Sequence, residues 1–220
     1  MTLKLEPGYA EHCFQDGKLC GDGWASTQRH HTLRLMLVDG MGHGKEAHQL
    51  MDQLCKQFQW ICDRTSQLVD IADCMRELHE VLRIQKQSDQ AAVALADVHT
   101  DTGLIAALSV GNVKAHILTQ GHCFSFPCMN GMVGGHLPQE LPVTMHPYHG
   151  SSLLTLHSDG VSSRSLLPFL SQLISSCTYS HLRSQAVAKA VIRDHAKCSD
   201  DASCLVVMLN KTARNLTGDV

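Results

Sequence analysis

Leu33-Arg-Leu-Met-Leu-Val-Asp39-Gly-Met-Gly-His-Gly44 decides the fold of this chain. The apolar run Leu33 to Val38 reads as a strand, and the segment after Gly44 opens a helix. Asp39 therefore stands at a strand tip above a loop with three glycines, a place suited to holding a metal. Three further aspartates occupy similar boundary positions far apart in the chain. They are Asp22 in Cys20-Gly-Asp-Gly-Trp24, Asp159 in Leu156-His-Ser-Asp-Gly160, and Asp200 in Ser199-Asp-Asp-Ala-Ser203. A fold that gathers four strand-end carboxylates has a chemical reason to do so.

Outward from the glycine loop, Ala47, Leu50, Met51, Leu54, Phe58 and Ile61 recur at helical spacing, which predicts an amphipathic helix over about Lys45 to Arg64. Leu68, Ile71, Ala72, Met75, Leu78 and Leu82 predict a second helix, with Thr65 or Ser66 as its N-cap. The two form a hairpin. Ala91 to Val98 and Leu104 to Val110 flank the turn Thr100-Asp-Thr-Gly103, and Val113 to Thr119 is expected to continue them as an antiparallel meander.

Further strands are expected at Leu141 to Met145, Ser152 to His157 and Ala202 to Leu209. Two more helices, around Leu166 to Ile174 and Ala186 to Val191, precede the last strand. The order is strands, two helices, strands, two helices, strand. Too few strand-helix-strand alternations occur for a doubly wound fold, so the class is α+β with largely antiparallel sheets.

A length of 220 residues suits one domain spanning 1–220, and no repeat, low-complexity stretch or Pro/Gly/Ser-rich linker divides it. With 5% aromatic residues, aliphatic side chains must fill the core. The net charge of -3 and the lack of a Lys/Arg cluster argue against nucleic acid as a partner. No stretch approaches the roughly 18 apolar residues of a membrane span, and the N-terminus lacks a signal-peptide pattern, so the expected location is cytoplasmic. Ten cysteines without a Cys-x-x-Cys pair read as reduced, small apolar side chains, and structural zinc is not expected.

Clustered aspartates suit hard divalent ions such as Mg²⁺ and Mn²⁺, which prefer oxygen ligands. Two such ions roughly 4 Å apart can share a carboxylate, acidify a water and clamp a phosphoryl oxygen. No cysteine lies in a glycine-rich phosphate loop beside an arginine, so thiol catalysis is disfavoured.

The chain resembles the metal-dependent (PPM, type 2C) protein serine/threonine phosphatases, in the branch of the sporulation stage II protein E phosphatases. The resemblance rests on Cys20-Gly-Asp-Gly-Trp24, Leu37-Val-Asp-Gly-Met-Gly-His-Gly44, Leu108-Ser-Val-Gly-Asn112, Leu156-His-Ser-Asp-Gly160 and Ser199-Asp-Asp-Ala-Ser203, in the family's order. Asp-Gly-Met-Gly-His-Gly is the most specific of them. What the resemblance implies is an α-β-β-α sandwich that hydrolyses phosphoserine or phosphothreonine with metal-activated water and no phosphoenzyme. Asp39 would bridge two ions, Mn²⁺ or Mg²⁺. The Gly40 carbonyl would ligate one, Asp159 and Asp200 the other, and Asp22 would ligate an ion or support a ligand.

Two departures from the wider class stand out. Many type 2C enzymes carry a histidine directly after the metal-binding Asp-Gly, whereas Met41 follows here and His43, the candidate acid, comes two positions later. The segment before Asp22 lacks the arginine that grips phosphate in many eukaryotic members, leaving Lys18, His12 or water. The chain begins and ends close to its motifs, which gives the expectation of a stand-alone phosphatase like those that reset bacterial stress signalling. Its partner would then be a phosphorylated scaffold or anti-sigma antagonist of the STAS type. In that branch the paired helices over Lys45 to Gln85 can act as a switch. The alternatives are a silent phosphoprotein-binding module and a hydrolase of small phosphoesters.

Overall fold

Four layers stack in the order helices, sheet, sheet, helices. A computed structural model describes residues 4–14, 19–84, 89–119, 122–176, 183–197 and 199–211. The elements run β1 (Gly8–His12), β2 (Asp22–Arg29), β3 (Thr32–Gly40), α1 (Lys45–Asp63), α2 (Ile71–Ile84), β4 (Ala91–His99), β5 (Leu104–Val110) and β6 (Lys114–Thr119). They continue with β7 (His122–Ser125), β8 (Cys128–Met129), β9 (Thr144–Pro147), β10 (Gly150–His157), α3 (Ser163–Ser175), α4 (Ser184–His195) and β11 (Ala202–Lys211). One sheet has the order β1-β11-β10-β6-β7, and the other β2-β3-β4-β5-β8 with β9 pairing β5. All pairings are antiparallel except β5 with β8. The expected α-β-β-α sandwich is thus the fold observed.

Strand alternation assigns the layers. In β3, Leu33, Leu35 and Leu37 face the opposite sheet, while Met36 and Val38 face α1 and α2. In β11, Leu205, Val207 and Leu209 join the core between the sheets, and Ala202, Cys204 and Val206 pack under α3 and α4. β4 turns Ala92, Ala94 and Ala96 to the opposite sheet, small side chains that let the sheets meet without aromatic filler. α1 buries Leu50, Leu54, Phe58 and Ile61 along one stripe, each contributing about 1.5–3 kcal/mol.

Three expectations are corrected. The segment Ala91 to Thr119 is not a single meander: β4 and β5 form the hairpin, but β6 crosses to the other sheet and pairs β10 and β7. The crossing pivots on Gly111, at φ +100°, where a Cβ would sit 2.4 Å from the Ala92 Cβ. The N-cap of α2 is Asp70, whose Oδ1 accepts from the Ala72 N–H at 2.8 Å, rather than Thr65 or Ser66. The strand expected at Leu141 to Met145 starts only at Thr144, because Pro142 lacks a donor and Leu141 serves as a buried plug under the helices. The second of the paired helices runs to Ile84, and Gln85 lies outside the described residues.

Candidate metal centre at the strand ends

Asp22 opens β2 and Asp39 stands one residue before the end of β3, and the antiparallel register sets them directly opposite one another. The Gly40 N–H donates to the Gly21 carbonyl at 3.1 Å and closes the pair beyond the last ladder position. In the other sheet, Asp159 follows β10 and Asp200 precedes β11, neighbouring strands whose last matched residues are His157 and Cys204. Each sheet thus delivers two aspartates to the same end of the sandwich.

Asp201 joins the two halves. Its Oδ1 accepts from the Phe14 N–H at 2.6 Å and its Oδ2 from the Gly21 N–H at 2.7 Å, one residue ahead of Asp22. Its own carbonyl presses on Gly160, where a Cβ would lie 1.9 Å from that oxygen, so only glycine can follow Asp159. Of the Asp200-Asp201 pair, Asp201 is therefore committed to backbone donors. Asp200 is exposed, with one oxygen accepting from the Asp201 N–H at 2.9 Å.

The carboxylates crowd one another. Burial first, then the charges of Asp22, Asp159, Asp200 and Asp201, push the Asp39 carboxyl up to about 8. Burial raises Asp22 to about 7; the hydroxyls of Ser158 and Ser203 oppose that rise, and Asp201 and Asp200 reinforce it. Asp22 is 2% exposed and its Oδ2 has no hydrogen-bond partner among the described residues. A buried carboxylate oxygen without a donor costs free energy that a cation would recover. An all-oxygen donor set with this excess of negative charge fits hard divalent ions. Among the described residues no three of these aspartates place carboxylate oxygens within 4.8 Å of one another, so the cup is wider than the shell of a single ion.

Around the aspartates, the Asn112 amide donates to Asp159 Oδ2 at 2.8 Å, and the Lys197 ammonium donates to the Asp159 carbonyl. His43 is exposed on the glycine loop, with its ring edge-on to Phe14 at 5.9 Å between centroids. Exposed Met41 lies beside it. Of the phosphate-gripping candidates, His12 is an exposed residue of β1 opposite Ala202, and Lys18 lies outside the described residues. Sequence reasoning passed over Asp201 as a clamp and Asn112 as a hydrogen-bond donor. Both stand inside motifs already singled out, but nothing in their spacing distinguishes ligand from support. Two open grooves, of about 440 and 480 Å³, lie elsewhere, one lined by Tyr9, Glu11 and Arg193 and the other by Trp24, Cys55 and Gln59.

The family model for Stage II sporulation protein E (SpoIIE) matches residues 29–210, which takes in Asp39, Asp159 and Asp200. The chain belongs to that family. It is a family of PPM-type protein serine/threonine phosphatases, as the sequence motifs implied. Comparison with curated proteins finds no match. Among solved structures, a chain from work on the bacterial stressosome as a modular system controlling secondary-messenger signalling is 22% identical, with TM-score 0.79, 93% of this chain and 100% of that one covered. RsbX in complex with magnesium is 16% identical at TM-score 0.74, over 94% of this chain and 99% of that one. The phosphatase domain of SpoIIE from Bacillus subtilis, with a fragment of its regulatory domain, is 18% identical at TM-score 0.76, over 94% and 64%. At these identities the similarity establishes a shared fold. Among the described residues of this SpoIIE-family chain, no helix is long and apolar enough to cross a membrane.

Proposed function

We propose that the chain removes phosphate from phosphoserine or phosphothreonine in a partner protein, with two divalent ions, Mn²⁺ or Mg²⁺, held by Asp22, Asp39, the Gly40 carbonyl, Asp159 and Asp200. The observation that carries this reading is the position of Asp39, the carboxylate that feels the charges of Asp22, Asp159, Asp200 and Asp201 together. Bound divalent ions lower the pKa of a water and polarise a phosphoryl oxygen. The chain's own residues set the geometry. Asn112 fixes the rotation of the Asp159 carboxylate, and Asp201 fixes the backbone that carries Asp22. Asp39, opposite Asp22 across the strand pair, would serve both ions. His43, on the exposed rim, is assigned proton donation to the departing seryl oxygen.

Met41, His43 and Asp200 are all exposed, an open setting that suits a protein surface better than a small ester, which a concave pocket would enclose. The stressosome and RsbX similarities favour a signalling substrate of the STAS or anti-sigma-antagonist type. The test is manganese-dependent phosphate release from a panel of such phosphoproteins, a phosphopeptide and a small phosphoester. Turnover highest on a folded phosphoprotein, and lost in Asp159→Asn while that variant stays folded, supports the reading. Tight phosphoprotein binding by a wild type inactive with every divalent ion overturns it in favour of a silent binding module. His43→Ala should lower kcat with metal affinity unchanged; an unaltered kcat removes His43 from the reaction.

A further inference from the structure

Beside the aspartate cup sits a cluster of different chemistry. Alternation along β1 puts Tyr9, Glu11 and, just past the strand end, Cys13 on one face, and the chain returns to that face at Cys20, ahead of β2. A Glu11 carboxylate oxygen and the Cys13 and Cys20 sulfurs all lie within 4.8 Å of one another. Glu11 is exposed, Cys13 half-buried and Cys20 buried. The Tyr9 hydroxyl donates to Glu11 Oε2 at 2.7 Å and fixes the carboxylate's orientation, as outer partners do for metal ligands. Asp201 holds the chain on both sides, gripping the Phe14 N–H after Cys13 and the Gly21 N–H after Cys20. The two sulfurs are thus kept together by a bond network that does not involve them.

We propose that Glu11, Cys13 and Cys20 form a second cation site, one that takes a borderline-soft divalent ion such as Zn²⁺. Two sulfurs and one carboxylate are a zinc-type donor set; with bonds of about 2.0–2.3 Å, tetrahedral ligand atoms stand about 3.3–3.8 Å apart, within the observed spread. Three protein ligands leave the fourth position to water on the side where Glu11 is exposed. Binding displaces the two thiol protons to solvent. The ion would pin the edge strand of one sheet to the start of β2 in the other, two residues from Asp22. The six residues between the cysteines give no Cys-x-x-Cys signal, so the site is a product of the fold.

Cobalt(II), a zinc substitute with a visible thiolate signature, tests this in the reduced, metal-stripped full chain. The aspartate cup binds cobalt through oxygen alone, so only the sulfur site produces a thiolate-to-cobalt charge-transfer band. The expected result is a band saturating at one equivalent, bleached by Zn²⁺, unchanged in Asp39→Asn and lost in Cys13→Ser. Glu11→Gln, at an exposed position that keeps the Tyr9 contact, should weaken the apparent affinity by about tenfold or more. Absence of the band, or its survival in Cys13→Ser, overturns the proposal. So does a Cys13–Cys20 disulfide that persists in protein isolated with excess Zn²⁺.

Discussion

β3 carries charge at both ends, buried at Arg34 and half-buried at Asp39, and the two ends are handled in opposite ways. At one end Arg34 lies opposite Asp97 of β4, and its guanidinium makes two bonds to that carboxylate, Nε to Oδ1 at 2.7 Å and Nη2 to Oδ2 at 2.6 Å. At the other end Asp39 lies opposite Asp22, two carboxylates with no ion pair to a Lys or Arg among the described residues and both raised far above their usual range. The first pair balances its charge within the chain, although Arg34 Nη1 finds no hydrogen-bond partner among the described residues, and it belongs to the fold. The second is complete only with something from outside, which is what distinguishes a site from a core.

The largest effect that would probe this comparison is at the complete end. Arg34→Ala strands Asp97 under α1 and α2 and should cost about 3–5 kcal/mol in urea unfolding. Replacing both partners, Arg34→Met with Asp97→Leu, should recover most of that loss; a double variant as unstable as the single one would contradict a purely structural role for the pair. At the incomplete end Asp39→Asn should lower kcat/KM on the order of 10²–10³-fold. The same substitution should raise the melting temperature of the metal-free protein, since it removes one of the crowded charges. A fall in that temperature would mean that Asp39 is a fold residue like Arg34.

Smaller effects follow at the supports. Asn112→Ala frees the Asp159 carboxylate and should weaken manganese binding by about 10-fold, read by calorimetry. pH gives the gentlest probe. Asp22 and Asp39 have folded-state values of about 7 and 8 against 3.8 unfolded, so between those limits the native state holds more protons than the unfolded one. Stability of the metal-free protein should therefore fall as pH rises from about 4 through 8, and saturating Mn²⁺ should flatten the slope. A slope that is the same with and without metal would separate these aspartates from the ion.

Much of this was legible in the sequence because it is local. The stripe of α1, the hairpin turn at Thr100 to Gly103 and the Asp-Gly boundaries each follow from a few adjacent residues. The departures arise where distant segments decide. Gly111 reads as an ordinary turn after Val110, and only its approach to Ala92 makes it the point where the chain changes sheets. Asp70 outcompetes Thr65 and Ser66 because α2 starts a turn later than its apolar pattern does. The edge strands β1, β7 and β8 are short and half-exposed, and their periodicity is too weak to announce them. Asp201 could not be told from Asp200 by spacing, since its role depends on Phe14 and Gly21, nearly the whole chain away.

That long reach sets an order on the making of the domain. Among the described strands β11 comes last in the chain, yet it lies between β1 and β10, and the residues just before it contribute both Asp200 and the Asp201 clamp. Until those residues leave the ribosome, β1 lacks its partner strand β11, the Gly21 N–H lacks its carboxylate acceptor and the acidic cup lacks a wall. A nascent chain that has not yet released β11 therefore carries its acidic cup only in part, and the aspartates of the two sheets come together with that strand.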